Sequence, residues 1–247
     1  MNILQMMMGA CGGVTWANWD EAAESTLASD DIFVCLMENV NAGGDETGQG
    51  GGLTGANLVL TQSGNVAGAT GSPPSRVLDG SDDCLKAPTG MLDALICNSN
   101  KTWTIILKIS NITIADDYFF YISDAAENEL LNARIATNDT IITIEQDNTL
   151  ENHQTTDAIL TATTYYLALW ADGTDMRYGF TTTRPTKWSD FDAGKRYLFL
   201  TNTGDYNGET FDHATYRDFF CAAASSYLAC TAHYIVMAKT CLIDNDL

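Results

Sequence analysis

From Asn57 onward the chain is a succession of short apolar runs divided by turns, and this spacing leaves little room for helices. The runs are Asn57–Thr61, Arg76–Leu78, Trp103–Ile109, Tyr118–Ser123, Leu130–Ala136, Thr140–Glu145, Tyr165–Ala171, Met176–Thr181 and Arg196–Thr201. They are rich in β-branched and aromatic residues, which fit a pleated, half-buried surface. Trp103, Ile105, Leu107 and Ile109 share one parity, as do Tyr165, Leu167, Leu169 and Ala171. That period of two places each set on one face of a strand. Turn dipeptides Asp79-Gly80, Asp172-Gly173 and Asn207-Gly208 punctuate the runs. The pattern predicts an all-β sandwich or jelly roll, with no internal repeat.

The flanks are less regular. Asp31–Met37 reads as a first strand, and the glycine-rich Asn41–Thr54 that follows reads as a flexible loop. It has no Gly-Lys-Ser or Gly-Lys-Thr ending and joins no strand to a helix, which excludes a phosphate-binding loop. Thr215–Ala229 carries alanines and apolar spacing that suit a short helix or an irregular run, and His233–Thr240 reads as the closing strand. Residues 1–30 are expected to form a short N-terminal extension to a sandwich over 31–247. Trp16 and Trp19 are its candidate contacts, either with a neighbouring subunit or with the chain's own sandwich. Met1–Gly13 has no basic segment and Met8 stands where a lipoprotein signal carries leucine, so no signal peptide is expected.

Charge excludes several partners. Thirty-two acids against twelve bases give a formal charge of −20, which disfavours nucleic acid and anionic lipid. No run approaches the roughly 18 to 20 apolar residues of a membrane span, so no membrane insertion is expected. The seven cysteines (11, 35, 84, 97, 221, 230 and 241) have no metal-ligand spacing and are expected mostly as buried thiols. One or two disulfides remain open on spacing alone.

Three segments carry a resemblance. Val77-Leu78-Asp79-Gly80-Ser81-Asp82-Asp83-Cys84-Leu85, Lys101-Thr102-Trp103-Thr104-Ile105-Ile106-Leu107-Lys108 and Tyr165-Tyr166-Leu167-Ala168-Leu169-Trp170-Ala171-Asp172-Gly173 follow one another in order. They resemble the opening strand, central strand and later hairpin of concanavalin A-like (laminin-G-like) domains. The resemblance implies a jelly-roll β-sandwich. The opening MNILQMMMGACGG, with the glycine-rich segment after it, resembles virion structural proteins of tailed phages. That second resemblance implies a capsid, decoration or tail-appendage subunit. Such a subunit would be made in the host cytoplasm and assembled with copies of itself and other virion proteins.

Chemistry is sparse along the chain. Retaining glycosidases of this architecture set two carboxylates about 5 to 5.5 Å apart. The nearest segment, Glu145 to Glu151 around Asp147, displaces the last acid from the expected spacing. There is no Gly-x-Ser-x-Gly, and His153, His213 and His233 are scattered, with His233 expected to head a strand in a surface or capping role. The expectation is therefore a protein without enzyme activity and without an obligatory cofactor. Calcium is the one metal with candidates: Asp82, Asp83, Asp116, Asp117 and Asp124 fall in or beside turns. The Asp79–Asp83 segment itself reads as a turn into a strand. Glycan binding needs an aromatic face with polar neighbours. Trp188, Tyr178 and Tyr206, with Asn202, Asp205 and Asn207, are the candidates, and Tyr216 is a further loop-side ring. The leading expectation is a non-enzymatic virion subunit able to bind host-surface glycans. A lectin-like module, calcium-dependent or not, is the alternative, and a glycoside hydrolase comes third.

Overall fold

The computed structural model describes residues 28–95, 102–113, 118–124, 129–135, 142–146, 153–154, 163–172, 176–185, 188–191, 197–199, 214–219 and 228–242. In chain order the strands are β1 (Ile32–Leu36), β2 (Glu46–Thr47), β3 (Gln49–Gly50), β4 (Val59–Ser63), β5 (Arg76–Asp79) and β6 (Cys84–Lys86). After the helix α1 (Thr89–Leu95) come β7 (Thr102–Ser110), β8 (Tyr118–Asp124), β9 (Glu129–Ile135), β10 (Ile142–Gln146) and β11 (His153–Gln154). The last strands are β12 (Tyr165–Asp172), β13 (Met176–Thr181), β14 (Tyr197–Phe199), β15 (Ala214–Phe219) and β16 (Ala229–Ala238). No described helix is long and apolar enough to cross a membrane.

The strands form two antiparallel sheets, which makes the chain an all-β sandwich. Sheet I runs β14-β13-β12-β7-β16-β1-β3, with β5 also paired to β16. Sheet II runs β11-β10-β9-β8-β15-β6-β4-β2. Between them lies the core that the alternation predicts. Trp103, Ile105, Leu107 and Ile109 of β7, Tyr165, Leu167 and Leu169 of β12, and Ile235 and Met237 of β16 meet Leu60, Leu85 and Phe119 of sheet II. Met91 and Leu95 of α1 plug the same core. Burying each such side chain contributes about 1.5 to 3 kcal/mol.

Sheet I is buried on its other face as well. Val34, Ile106, Tyr166, Ala168, Trp170, Tyr234 and Val236 form a second cluster there with Phe191 and Cys241. Part of the cover is the segment after β16. Thr104 Oγ1 donates to the Thr240 carbonyl at 2.9 Å and accepts from the Leu242 amide at 3.0 Å, drawing 240–242 across β7. The half-buried strand expected at 103–109 is thus wholly buried.

Three local expectations need correction. Thr215–Phe219 is strand, not helix: β15 pairs with β8 on one side and β6 on the other. Cross-strand partners hold that stretch extended, and the alanines at 222–224 lie outside the described residues. The glycine-rich 41–54 is not a plain loop either, because β2 and β3 lie within it. Gly50, Gly51 and Gly52 take left-handed φ values of +85, +69 and +67°, which lets the Gly51 amide reach the Ser29 and Ile32 carbonyls at 2.6 and 3.0 Å. Across this segment lies the buried guanidinium of Arg76. It donates to the Ala67 carbonyl at 2.8 Å, the Gly44 carbonyl at 2.6 Å, the Val66 carbonyl at 2.8 Å and Glu46 Oε1 at 2.9 Å. Finally, α1 interrupts a region in which no helix was expected. Cys35, Cys84, Cys230 and Cys241 are buried thiols, and desolvation pushes that of Cys230 far up.

Candidate functional site

Register fixes one line of residues across sheet I. Thr181 of β13, Tyr166 of β12, Lys108 of β7, Tyr234 of β16 and Leu36 of β1 are successive cross-strand partners. Alternation along β7 sends Trp103, Ile105 and Leu107 inward and so commits Lys108 to the far face. There Lys108 is only 7% exposed. Its ammonium lies 5.5 Å from the ring centre of Tyr166 and 5.8 Å from that of Tyr234, within cation–π range of both.

A bulge aims the next residue. Between Ala232 and Tyr234 the register of β16 on β7 shifts by one residue, so His233 has no opposite number. Bulges re-aim side chains in this way. Inward residues are Cys230 and Ala232 before the bulge but Ile235 and Met237 after it. The His233 Nε2 and Ser110 Oγ atoms hydrogen bond at 2.8 Å. Leu36, Pro73, Pro74, Lys108, His233 and Tyr234 enclose a recess of about 20 Å³. That is room for one group the size of a water or a methyl. Pro73 is exposed and Leu36, Pro74 and His233 are half-buried, while Lys108 and Tyr234 are buried.

None of these residues stood out as a site in the sequence. Lys108 was the available signal, a cation on the far parity of an otherwise apolar strand. His233 was expected at the head of its strand; it lies inside β16, at the bulge.

The predicted glycan candidates fall partly within the described residues. Trp188 opens a 3-10 turn, Trp188–Phe191, that lies against β13. The contact depends on Gly179: a Cβ there would collide with the Phe191 carbonyl oxygen. Tyr178 is the preceding residue, paired with Leu169 and Tyr197. The Trp188 turn thus lies over the outer face of sheet I at Gly179, whereas Tyr178 has the register of inward Leu169, so the backbone does not bring the two to one face. Tyr216 lies on β15 opposite Ser123, in a strand and not a loop. Asn202, Asp205, Tyr206 and Asn207 lie outside the described residues, as do Trp16 and Trp19.

The acids divide similarly. Asp116 and Asp117 lie outside the described residues, and Asp124 ends β8. Asp82 and Asp83 are joined by Asp79, and the three offer oxygens within 4.8 Å of one another. Such a set has the oxygen chemistry a hard cation needs, though a full calcium shell takes six to eight ligands. Asp83 is committed to the turn: Oδ1 accepts from the Asn65 amide at 2.9 Å and Oδ2 from the Asp79 amide at 3.1 Å. Burial pushes the Asp83 carboxyl above its ordinary range, against those two hydrogen bonds, with Asp79 and Asp82 adding repulsion. Asp79 in turn accepts from the Ser81 amide at 2.8 Å. Glu145, the acid tested for hydrolysis, pairs with Asn132 on β9, while Asp147 and Glu151 lie outside the described residues.

No protein-family model matches the chain, and no curated protein matches it in sequence. Solved structures do match in fold. A Trypanosoma rangeli sialidase in complex with sialic acid is similar at TM-score 0.59 and 11% identity, over 96% of this chain and 37% of the sialidase. A botulinum neurotoxin type C structure, whose cell entry is described as dependent on two ganglioside molecules, is similar at TM-score 0.56 and 9% identity, over 86% of this chain and 49% of the other. The binding domain of botulinum neurotoxin DC, in complex with rat synaptotagmin II, is similar at TM-score 0.56 and 10% identity, over 88% of this chain and 50% of the other. The chain thus spans about a third of the sialidase's length and half of the toxin structures'. These likenesses correct one expectation. A protein without enzyme activity was inferred from missing linear motifs, yet the fold is shared with parts of sialidases. Catalytic groups converge from separate strands, so a linear motif search does not exclude them. At these identities, the likeness establishes the sandwich fold alone.

Proposed function

We propose that the chain is a lectin-like, glycan-binding sandwich that engages sugars at the recess lined by Leu36, Pro73, Pro74, Lys108, His233 and Tyr234. The observation that carries this reading is that Lys108, His233 and Tyr234 line one recess together with the apolar Leu36, Pro73 and Pro74. A few polar groups among apolar walls is the usual make-up of a small-ligand site. Fold-level analogy supports it from outside, since the similar toxin structure concerns ganglioside interaction and the similar sialidase holds sialic acid. Analogy of this kind is a weaker warrant than the site. The concanavalin A-like variety of sandwich is supported by the three resembling segments, whose described residues fall on β5–β6, on β7 and on β12.

The reading is tested on a glycan array with the full chain and with Lys108→Met. Binding to a defined set of glycans, weakened at least tenfold in the variant, is the expected result. No binding across a broad array overturns it.

The setting we propose is a virion appendage, where such a module would hold the particle to a glycosylated surface. Mass spectrometry of gradient-purified particles tests this, with tens of copies per particle expected. Recovery only in the soluble fraction overturns the virion setting and leaves the lectin reading standing.

A further inference from the structure

We propose that residues 240–242 form a strap that lifts from the outer face of sheet I as a unit while the sandwich beneath it stays folded. The ladder of β16 ends at Ala238. Lys239 is then a firm anchor. The Thr102 hydroxyl donates to its carbonyl at 3.0 Å, its amide donates to the Asp31 carbonyl at 3.0 Å, and its Nζ donates to the Asp30 carbonyl at 2.7 Å. Past that anchor the chain is tied to a side chain instead of a strand edge. The Thr104 hydroxyl, sealed from solvent, donates to the Thr240 carbonyl at 2.9 Å and accepts from the Leu242 amide at 3.0 Å. A hydroxyl can serve as donor and acceptor at once, so one group carries both tethers and its loss releases both.

What the strap covers gives it a reason to open. Cys241 packs into the outer cluster with Ile106 and Trp170, and Leu242 is buried beside it in the chain. Trp170 is the cross-strand partner of Thr104, yet its indole N–H is buried with no hydrogen-bond partner among the described residues. A buried donor without an acceptor destabilises the state that seals it. Water admitted beneath a lifted strap supplies that acceptor. Ladder hydrogen bonds hold the strands below, whereas the strap draws on two bonds to one side chain, which places its opening at the low-stability end of the fold. Thr104 and Lys108 share a parity on β7, so the strap covers the same face of sheet I that carries the recess.

Thiol labelling under native conditions tests this. The full chain is pulsed with N-ethylmaleimide, each cysteine peptide is quantified by mass spectrometry, and rates are normalised to those of the same thiols in concentrated urea. Cys241 rides on the strap, whereas Cys35, Cys84 and Cys230 are buried in the sandwich and report its global unfolding. In the wild-type chain Cys241 is expected to react at least tenfold faster than those three. Thr104→Val keeps the branched shape, removes both tethers and should speed Cys241 at least tenfold further while the other three hold their rates. Leu242→Ala leaves the tethers in place but trims the apolar contact, and should speed Cys241 as well. Equal rates at all four thiols in the wild-type chain overturn the proposal, because global unfolding alone would then expose Cys241. An unchanged Cys241 rate in Thr104→Val overturns it too, or in Leu242→Ala where the first variant does not fold.

Discussion

Arg76 and Glu46, thirty residues apart in the chain, meet at 2.9 Å with both side chains sealed from solvent. The pair ties β5 to β2, and so fastens the glycine-rich segment to the sandwich. The carboxylate also accepts from the Glu38 and Asn39 amides at 3.2 Å, so the pair has few unused hydrogen-bonding positions.

Arg76→Met is expected to destabilise the fold by about 3 to 5 kcal/mol, because it strands a buried carboxylate and several carbonyls. The double variant Arg76→Met with Glu46→Leu should be less destabilised than Arg76→Met alone. Urea unfolding of the four proteins completes the cycle. Additive losses would show that the pair is not coupled.

Asp83 gives a pH dependence of known sign. Its folded carboxyl stands above the ordinary value of 3.8, so the folded state takes up the proton first. Its contribution is fully present below that ordinary value and is lost as pH rises through the raised folded value. Asp83→Asn loses one backbone hydrogen bond at every pH, but it lacks this slope. The stability gap between variant and wild type, measured by urea midpoints, should therefore narrow as pH rises from the ordinary value of 3.8 through the raised folded value. A constant gap would contradict the sign.

Gly179→Ala places a methyl against the Phe191 carbonyl and must displace the Trp188–Phe191 turn. A cost of about 1 to 3 kcal/mol is expected, read from thermal unfolding. An unchanged midpoint would mean that the turn does not press on β13.

Trp188→Ala separates the turn over β13 from the recess. If the Trp188 turn adds a stacking surface, glycan affinity should fall by about tenfold, the scale of one contact of about 1.4 kcal/mol. Calorimetry with the best array ligand measures it. Unchanged affinity would confine binding to the recess.

Much of the sandwich was legible in the chain. Trp103 to Ile109 and Tyr165 to Leu169 declare their inner faces by parity, and the structure places those residues in the core. What parity cannot show is the fate of the other face. Ile106, Lys108 and Ser110 look like a solvent row until the far side of sheet I is seen to be covered. The recess stayed hidden for a second reason. It depends on the bulge at His233, and one inserted residue reverses inside and outside along β16, so the pattern around it reads as irregular. Arg76 and Glu46 were invisible as partners because only the topology brings β5 and β2 together.

One edge of β16 is shared end to end: β5 occupies it at Ala229–Ala232 and β1 at Tyr234–Ala238, while β7 pairs with the opposite edge. Sheet I thus has its keystone some two hundred residues after its first strand, and β1 and β5 wait for it during synthesis. Contacts of such long sequence separation make folding slow. A growing chain would hold the inward faces of β1, β5 and β7 without their central partner until that segment leaves the ribosome, which makes β16 the step at which chaperone capture or aggregation competes with completion of the sandwich.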